Sequence, residues 1–178
     1  MKRMIVMVAA TLLLAACTQK EETEKNMNTL TFNTEQAAIA AAVDGKTDVV
    51  CAQSPWPVGE PNTAYAQYFT GNSYLAPMEG GMANVTFEPG CRNNWHIHHN
   101  MVQVLVCVSG RGWYQEWGKE AVPLVPGTVI AIPEGAKHWH GAAADSWMQH
   151  LTYHTDAKPN ASTEWLEAVD DAWYGKLN

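Results

Sequence analysis

Positive charge is scarce in this 178-residue chain. Lys and Arg number 11 against 18 Asp and Glu, and the net charge is −7. That balance argues against a nucleic-acid partner, and no basic cluster reads as a lipid-headgroup patch. Long apolar runs are missing too. The longest, Met4–Ala16 with Thr11 inside it, falls short of the roughly 20 residues a membrane-spanning helix needs. Cysteine is sparse: beyond Cys17 only Cys51, Cys91 and Cys107 follow, an odd number that cannot all pair within one chain. Cys107 sits in an apolar strand pattern and reads as a small buried side chain, and Cys51 with Cys91 is the pair an oxidising compartment would allow. Histidine is absent from both ends, since all seven lie between positions 96 and 154.

The start of the chain reads as a targeting segment. Met1-Lys2-Arg3 is basic, the apolar run follows, and Leu14-Ala15-Ala16-Cys17 closes it. This resembles the lipobox of bacterial lipoproteins. It implies removal of residues 1–16, lipidation of Cys17, and attachment to the membrane through acyl chains alone. Thr18 after the cysteine points to the periplasmic side of the outer membrane. Residues 17–61 read as a polar tether and arm, with a short helix at 34–43 capped by Thr34. Pro55-Trp56-Pro57 and Glu60-Pro61 keep the arm extended.

From about residue 62 to 156 short runs rich in Val, Ile, Thr and aromatics alternate with turn signals. The runs are 83–88, 95–98, 102–108, 112–117, 128–132, 138–142 and 147–154. Pro89-Gly90, Ser109-Gly110, Gly118-Lys119, Pro126-Gly127 and Pro133-Glu134-Gly135 separate them. Strands so closely spaced, without intervening helices, indicate an all-β sandwich or barrel. In residues 157–178, Trp165, Val169 and Trp173 at a spacing of four predict a helix on the outside of the barrel, capped by Ser162 or Thr163.

His96 and His98 share one face of a strand, as do His138 and His140 on another. His150 and His154 flank Thr152 by two residues each way and share its face. Core packing does not account for six such imidazoles, because each buried ring needs a partner, and neutral imidazole is the commonest nitrogen ligand for metals. His99 falls on the opposite face and reads as surface. Arg92 and Glu116 read as turn and strand-edge charges.

Two stretches carry a resemblance. Gly90 through His96-Ile-His98 to Gln103 and Gly110 is similar to the first motif of the cupins, and Gly127, Pro133-Glu134-Gly135 and His138 to the second. The resemblance implies a single double-stranded β-helix (jelly-roll) barrel with short terminal helices. By position it implies a metal site of His96, His98, Gln103 and His138. Gln103 replaces the usual Glu, so all four ligands are neutral, and Ala142 stands where the second motif ends in Asn.

Val85–Gly90, Trp95-His96, Gly110–Trp113, Lys137–Ala143 and Met148–His150 narrow it further. They resemble small manganese-dependent cupins with (R)-hydroxynitrile lyase activity, and cupin domains attached to carboxymuconolactone decarboxylase-like proteins. That implies His140 and His150 as active-site histidines that do not bind the metal, with His154 at a third position usually held by Gln. One extra residue between His98 and Gln103 predicts a local bulge.

The implied function is a metal-dependent lyase acting on a small hydroxy or carbonyl compound. Manganese is the expected ion, with iron and zinc as alternatives, and Lys137 is a group that could attract a released anion. Two other readings stay open. One is an iron-dependent dioxygenase. The other is a non-enzymatic sugar- or ligand-binding module using Trp95, Trp113, Trp117, Trp139 and Trp147. Homodimer assembly is left open as well.

Overall fold

The computed structural model describes residues Ser54–Leu177. The expected signal segment, Cys17, most of the expected tether, the helix expected at 34–43 and Cys51 lie outside the described residues. Within them, thirteen strands run in chain order, paired antiparallel throughout. They are β1 (Glu60–Pro61), β2 (Phe69–Thr70), β3 (Ser73–Pro77), β4 (Ala83–Phe87), β5 (Arg92–Asn93) and β6 (His96–His99). There follow β7 (Val102–Gly110), β8 (Gly112–Glu116), β9 (Val122–Leu124), β10 (Val129–Ile132), β11 (His138–Ala142), β12 (Met148–Thr155) and β13 (Ser162–Trp165).

One sheet has the order β1-β3-β4-β12-β7-β10, and the other β13-β6-β11-β5-β2, with β8 on β11 and β9 on β8. This is the expected all-β double-stranded β-helix. All seven sequence-predicted runs are strands, within a residue or two at their ends. The two-residue strands and β3, β9 and β13 were not legible, because they are too short or too mixed in polarity to show a period of two.

Between the sheets lies an apolar core that includes Phe87, Leu105, Leu124, Ile132 and Met148, all fully buried. Removing a Leu or Phe side chain of this kind from water is worth about 1.5–3 kcal/mol. Gly110 turns β7 into β8 at φ +69°, where a Cβ would lie 1.8 Å from the Trp147 carbonyl oxygen. No residue with a side chain fits there without moving β12.

Three expectations need correction. The predicted C-terminal helix is instead strand β13 followed by one helical turn, α1 (Asp171–Tyr174), capped by Asp170. Thr163 and Trp165 alternate inward along the free edge of β6, and pairing those unsatisfied backbone groups outweighs the weak helical period. Trp165 therefore faces the site, while Val169 and Tyr174 pack on Trp95 and Trp139. The extra residue after His98 is absorbed in the turn at Asn100, which adopts φ +60°. A register shift falls elsewhere, in β12 between Gln149 and His150.

Arg92 is no ordinary turn charge. It is buried, pairs with Asp171 and lies 4.2 Å from the Tyr174 ring centroid, so it fastens the C-terminus to the barrel. Cys107 is buried as expected, and Cys91 is a free, buried thiol that burial pushes up to about 12.

Candidate metal centre

Each sheet delivers its polar side chains to the same interior. In β6 and β11, His96 and His138 are direct cross-strand partners, and His98 and His140 follow two residues along on the same face. In the opposite sheet, β7 and β12 set Gln103 against His154 and Cys107 against His150. A cavity of about 270 Å³ opens between them. It is lined by all of these histidines except His138, and by Gln103, Thr152, Asn93 and Thr163. Phe69, Leu75, Val85, Phe87 and Trp165 form its apolar side. No carboxylate lines it among the described residues.

The six predicted histidines thus meet. Their ring centroids form a row: His154 to His98 5.2 Å, His98 to His96 5.0 Å, His96 to His138 4.0 Å, His138 to His140 6.0 Å and His140 to His150 4.8 Å. All but His154 are buried. Burial, the largest cause in each case, lowers every one of these imidazoles below its ordinary pKa. His98, His138 and His150 fall to about 4, and His96 and His140 are pushed well down. At neutral pH the rings carry no charge and offer lone pairs.

Their hydrogen bonds divide them. Nδ1 of His96 donates to the Asn94 carbonyl at 3.0 Å, and Nδ1 of His138 to the Ala136 carbonyl at 2.9 Å. A carbonyl can only accept, so both rings turn a bare Nε2 inward. Nδ1 of His98 sits 3.0 Å from the Thr163 hydroxyl. Gln103 donates from Nε2 to Thr152 Oγ1 at 3.1 Å, which turns its Oε1 toward His98 Nε2 at 2.9 Å and His138 Nε2 at 3.2 Å. The bare His138 nitrogen and the Gln103 oxygen are both acceptors, so no proton bridges them. A cation among these lone pairs relieves that opposition, and ring nitrogens held by outer partners are the usual arrangement of metal-bound histidine. The donor set therefore fits a divalent ion of the kind that takes nitrogen and oxygen ligands.

The other half of the row is built differently. One nitrogen each of His96, His138 and His140 lies within 4.8 Å of the others, so His140 is also within ligating range. Its ring, however, has no carbonyl anchor: Asn93 Nδ2 lies 3.1 Å from Nε2 and 3.4 Å from Nδ1, and Asn93 Oδ1 accepts from the His140 backbone N–H. His150 is fully buried, with neither ring nitrogen hydrogen-bonded among the described residues. His154 is exposed at the mouth of the cavity.

Sequence reasoning missed Asn93 and Thr163, which lie on strands it did not predict. The remaining expectations sort themselves by position. Lys137 is turned away from the cavity. It pairs with Glu167 and sits 3.7 Å from the Trp117 ring centroid on the outside of the barrel. His99 is half-exposed and pairs with Glu164 at 2.8 Å. Glu116 accepts from the Tyr114 hydroxyl at 3.0 Å and pairs with Lys119. Of the five tryptophans considered for stacking on sugars, Trp95, Trp139 and Trp147 are packed in cores and Trp113 is half-buried. Trp117 is 60% exposed, but Lys137 covers its face and Trp95 packs at 5.0 Å from its ring.

The family model of the cupin domain matches residues 83–152. An (R)-mandelonitrile lyase of Granulicella tundricola is 36% identical over 116 residues, covering 61% of this chain and 87% of that protein. Among solved structures, a cupin-like protein from Thermotoga maritima is 35% identical with a TM-score of 0.61, covering 68% of this chain and 94% of that one.

Proposed function

Because this chain belongs to the cupin family, we propose that it is a metal-dependent lyase cleaving a small α-hydroxy compound, such as an aryl cyanohydrin, into a carbonyl product and a stabilised carbanion. His96, His98, His138 and Gln103 are the residues that would hold the ion, with manganese the first expectation. A divalent ion there supplies Lewis acidity that lowers the pKa of a bound hydroxyl.

The chain's own residues provide the rest. His150, neutral and with no side-chain partner on its ring nitrogens among the described residues, takes the hydroxyl proton, with His140 beside it as the alternative base. As the carbon–carbon bond breaks, its electron pair leaves with the cyanide. The imidazolium, a strong acid in this buried setting, returns the proton to that anion. Phe69, Leu75, Val85 and Phe87 hold the organic substituent and keep bulk water from the reacting carbon.

One observation carries this reading. The imidazole row joins rings whose outer nitrogens are tied back to a carbonyl or a hydroxyl to His140, held only by Asn93, and to the buried His150, whose nitrogens have no side-chain partner among the described residues, and both halves meet at one cavity. The test is mandelonitrile cleavage by protein stripped of metal and reloaded with manganese, iron or zinc. Benzaldehyde release that depends on metal and is lost in His150→Ala supports the proposal. Oxygen consumption by the iron-loaded protein, without cyanide release, contradicts it and favours an oxygenase. We further propose attachment through Cys17 to the periplasmic side of the outer membrane, tested by palmitate labelling that Cys17→Ala abolishes.

A further inference from the structure

We propose that Thr163, on the C-terminal strand β13, is a positioning residue that lets His98 change tautomer when a metal enters. The proposal rests on the metal reading above.

The geometry sets His98 apart from its neighbours. His96 and His138 are tied to backbone carbonyls, which accept but never donate, so their tautomers are set by the fold. His98 alone is tied to a hydroxyl, Thr163 Oγ1 at 3.0 Å, which can do either. Without metal, the Thr163 O–H donates to His98 Nδ1, and His98 Nε2–H donates to Gln103 Oε1 at 2.9 Å. That arrangement satisfies three buried groups at once. A metal ligand needs a bare Nε2 instead. The ring proton then moves through solvent from Nε2 to Nδ1, the Thr163 hydroxyl rotates its own proton away, and the same oxygen accepts from Nδ1–H. No bond other than N–H is made or broken, and the ring keeps a partner in both states.

The strand that carries Thr163 is held firmly against the site. Ser162, Thr163, Glu164 and Trp165 pair in register with His99, His98, Ile97 and His96. Trp165 also packs 4.7 Å from the His96 ring and stacks on Tyr68 at 4.6 Å. The C-terminal segment is thus part of the metal centre, not a covering on the barrel.

The test uses the full chain, with manganese affinity read by competition against a chromophoric chelator. Thr163→Val keeps the shape and removes the hydroxyl. It is expected to weaken manganese binding about tenfold, as loss of an outer partner of a ligating histidine does. Thr163→Ser, which keeps the hydroxyl, is expected to restore it and to keep the metal-free melting temperature close to that of the parent. Unchanged affinity in Thr163→Val overturns the proposal and leaves the metal reading intact, whereas a parent chain that binds neither manganese, iron nor zinc overturns the metal reading first.

Nitrogen-15 spectra of the parent chain give an answer that depends on no variant. His98 should carry its proton on Nε2 without metal. A proton already on Nδ1 in the metal-free protein overturns the switch. When the diamagnetic zinc ion is added as the probe, the proton should appear on Nδ1.

Discussion

The centre of the histidine row and its His150 end hold the same side chain for opposite purposes. At its centre His96 and His138 give up Nδ1 to a carbonyl, and each ring is left with one orientation and one free lone pair. In the other half His150 is just as buried but has no side-chain partner to orient it among the described residues. A buried polar group without a partner costs roughly 1–3 kcal/mol, and such a cost is tolerated where the group has work to do on something that enters. Anchoring suits a ligand whose nitrogen must stay on one ion. Freedom suits a base whose nitrogen must gain and lose a proton. Residue type alone does not distinguish the two groups; the outer hydrogen bond does.

The largest expected effect breaks the anchored group. His138→Ala should reduce manganese content from about one ion per chain to a small fraction of that, measured by elemental analysis. Next comes the free end: His150→Ala should keep its metal and lose roughly 10²–10⁴-fold in turnover. If both variants lose metal equally, the division of labour is wrong.

Gln103→Glu sharpens the comparison from the ligand side. A carboxylate in place of the neutral amide should tighten manganese binding about tenfold, shown by slower loss to a chelator, and should lower turnover by weakening the ion as a Lewis acid.

Metal-free protein gives a pH test. The unfolded chain's histidines titrate near 6.5, whereas burial holds His150 and His138 near 4 in the fold. Below about 6.5 the unfolded state therefore binds more protons, and stability should be full above that pH and fall progressively toward 4. Thermal melts across this range check it, and a flat profile would mean the rings are not held neutral. The smallest effect belongs to Lys137→Ala. Its half-exposed ion pair and its place over Trp117 predict a loss under about 1 kcal/mol and unchanged turnover.

Much of the site was readable because strands impose a period of two. His96 with His98, and His138 with His140, had to share faces once their segments were strands, and Gln103 followed from the motif's spacing. What the period could not show is which rings are anchored. Asn94 and Ala136 act through backbone carbonyls that any residue would supply. Thr163 reaches His98 across 65 positions of sequence, from a segment whose tryptophan spacing suited a helix. Arg92 looked like a surface charge because nothing local reveals that Tyr174 and Asp171 return to cover it.

The most direct test is an anomalous-scattering map from crystals soaked in manganese. The account predicts one peak, bonded to Nε2 of His96, His98 and His138 and to Oε1 of Gln103, with His140 and His150 unbound. A peak centred on His140 and His150, or none at all, would contradict it.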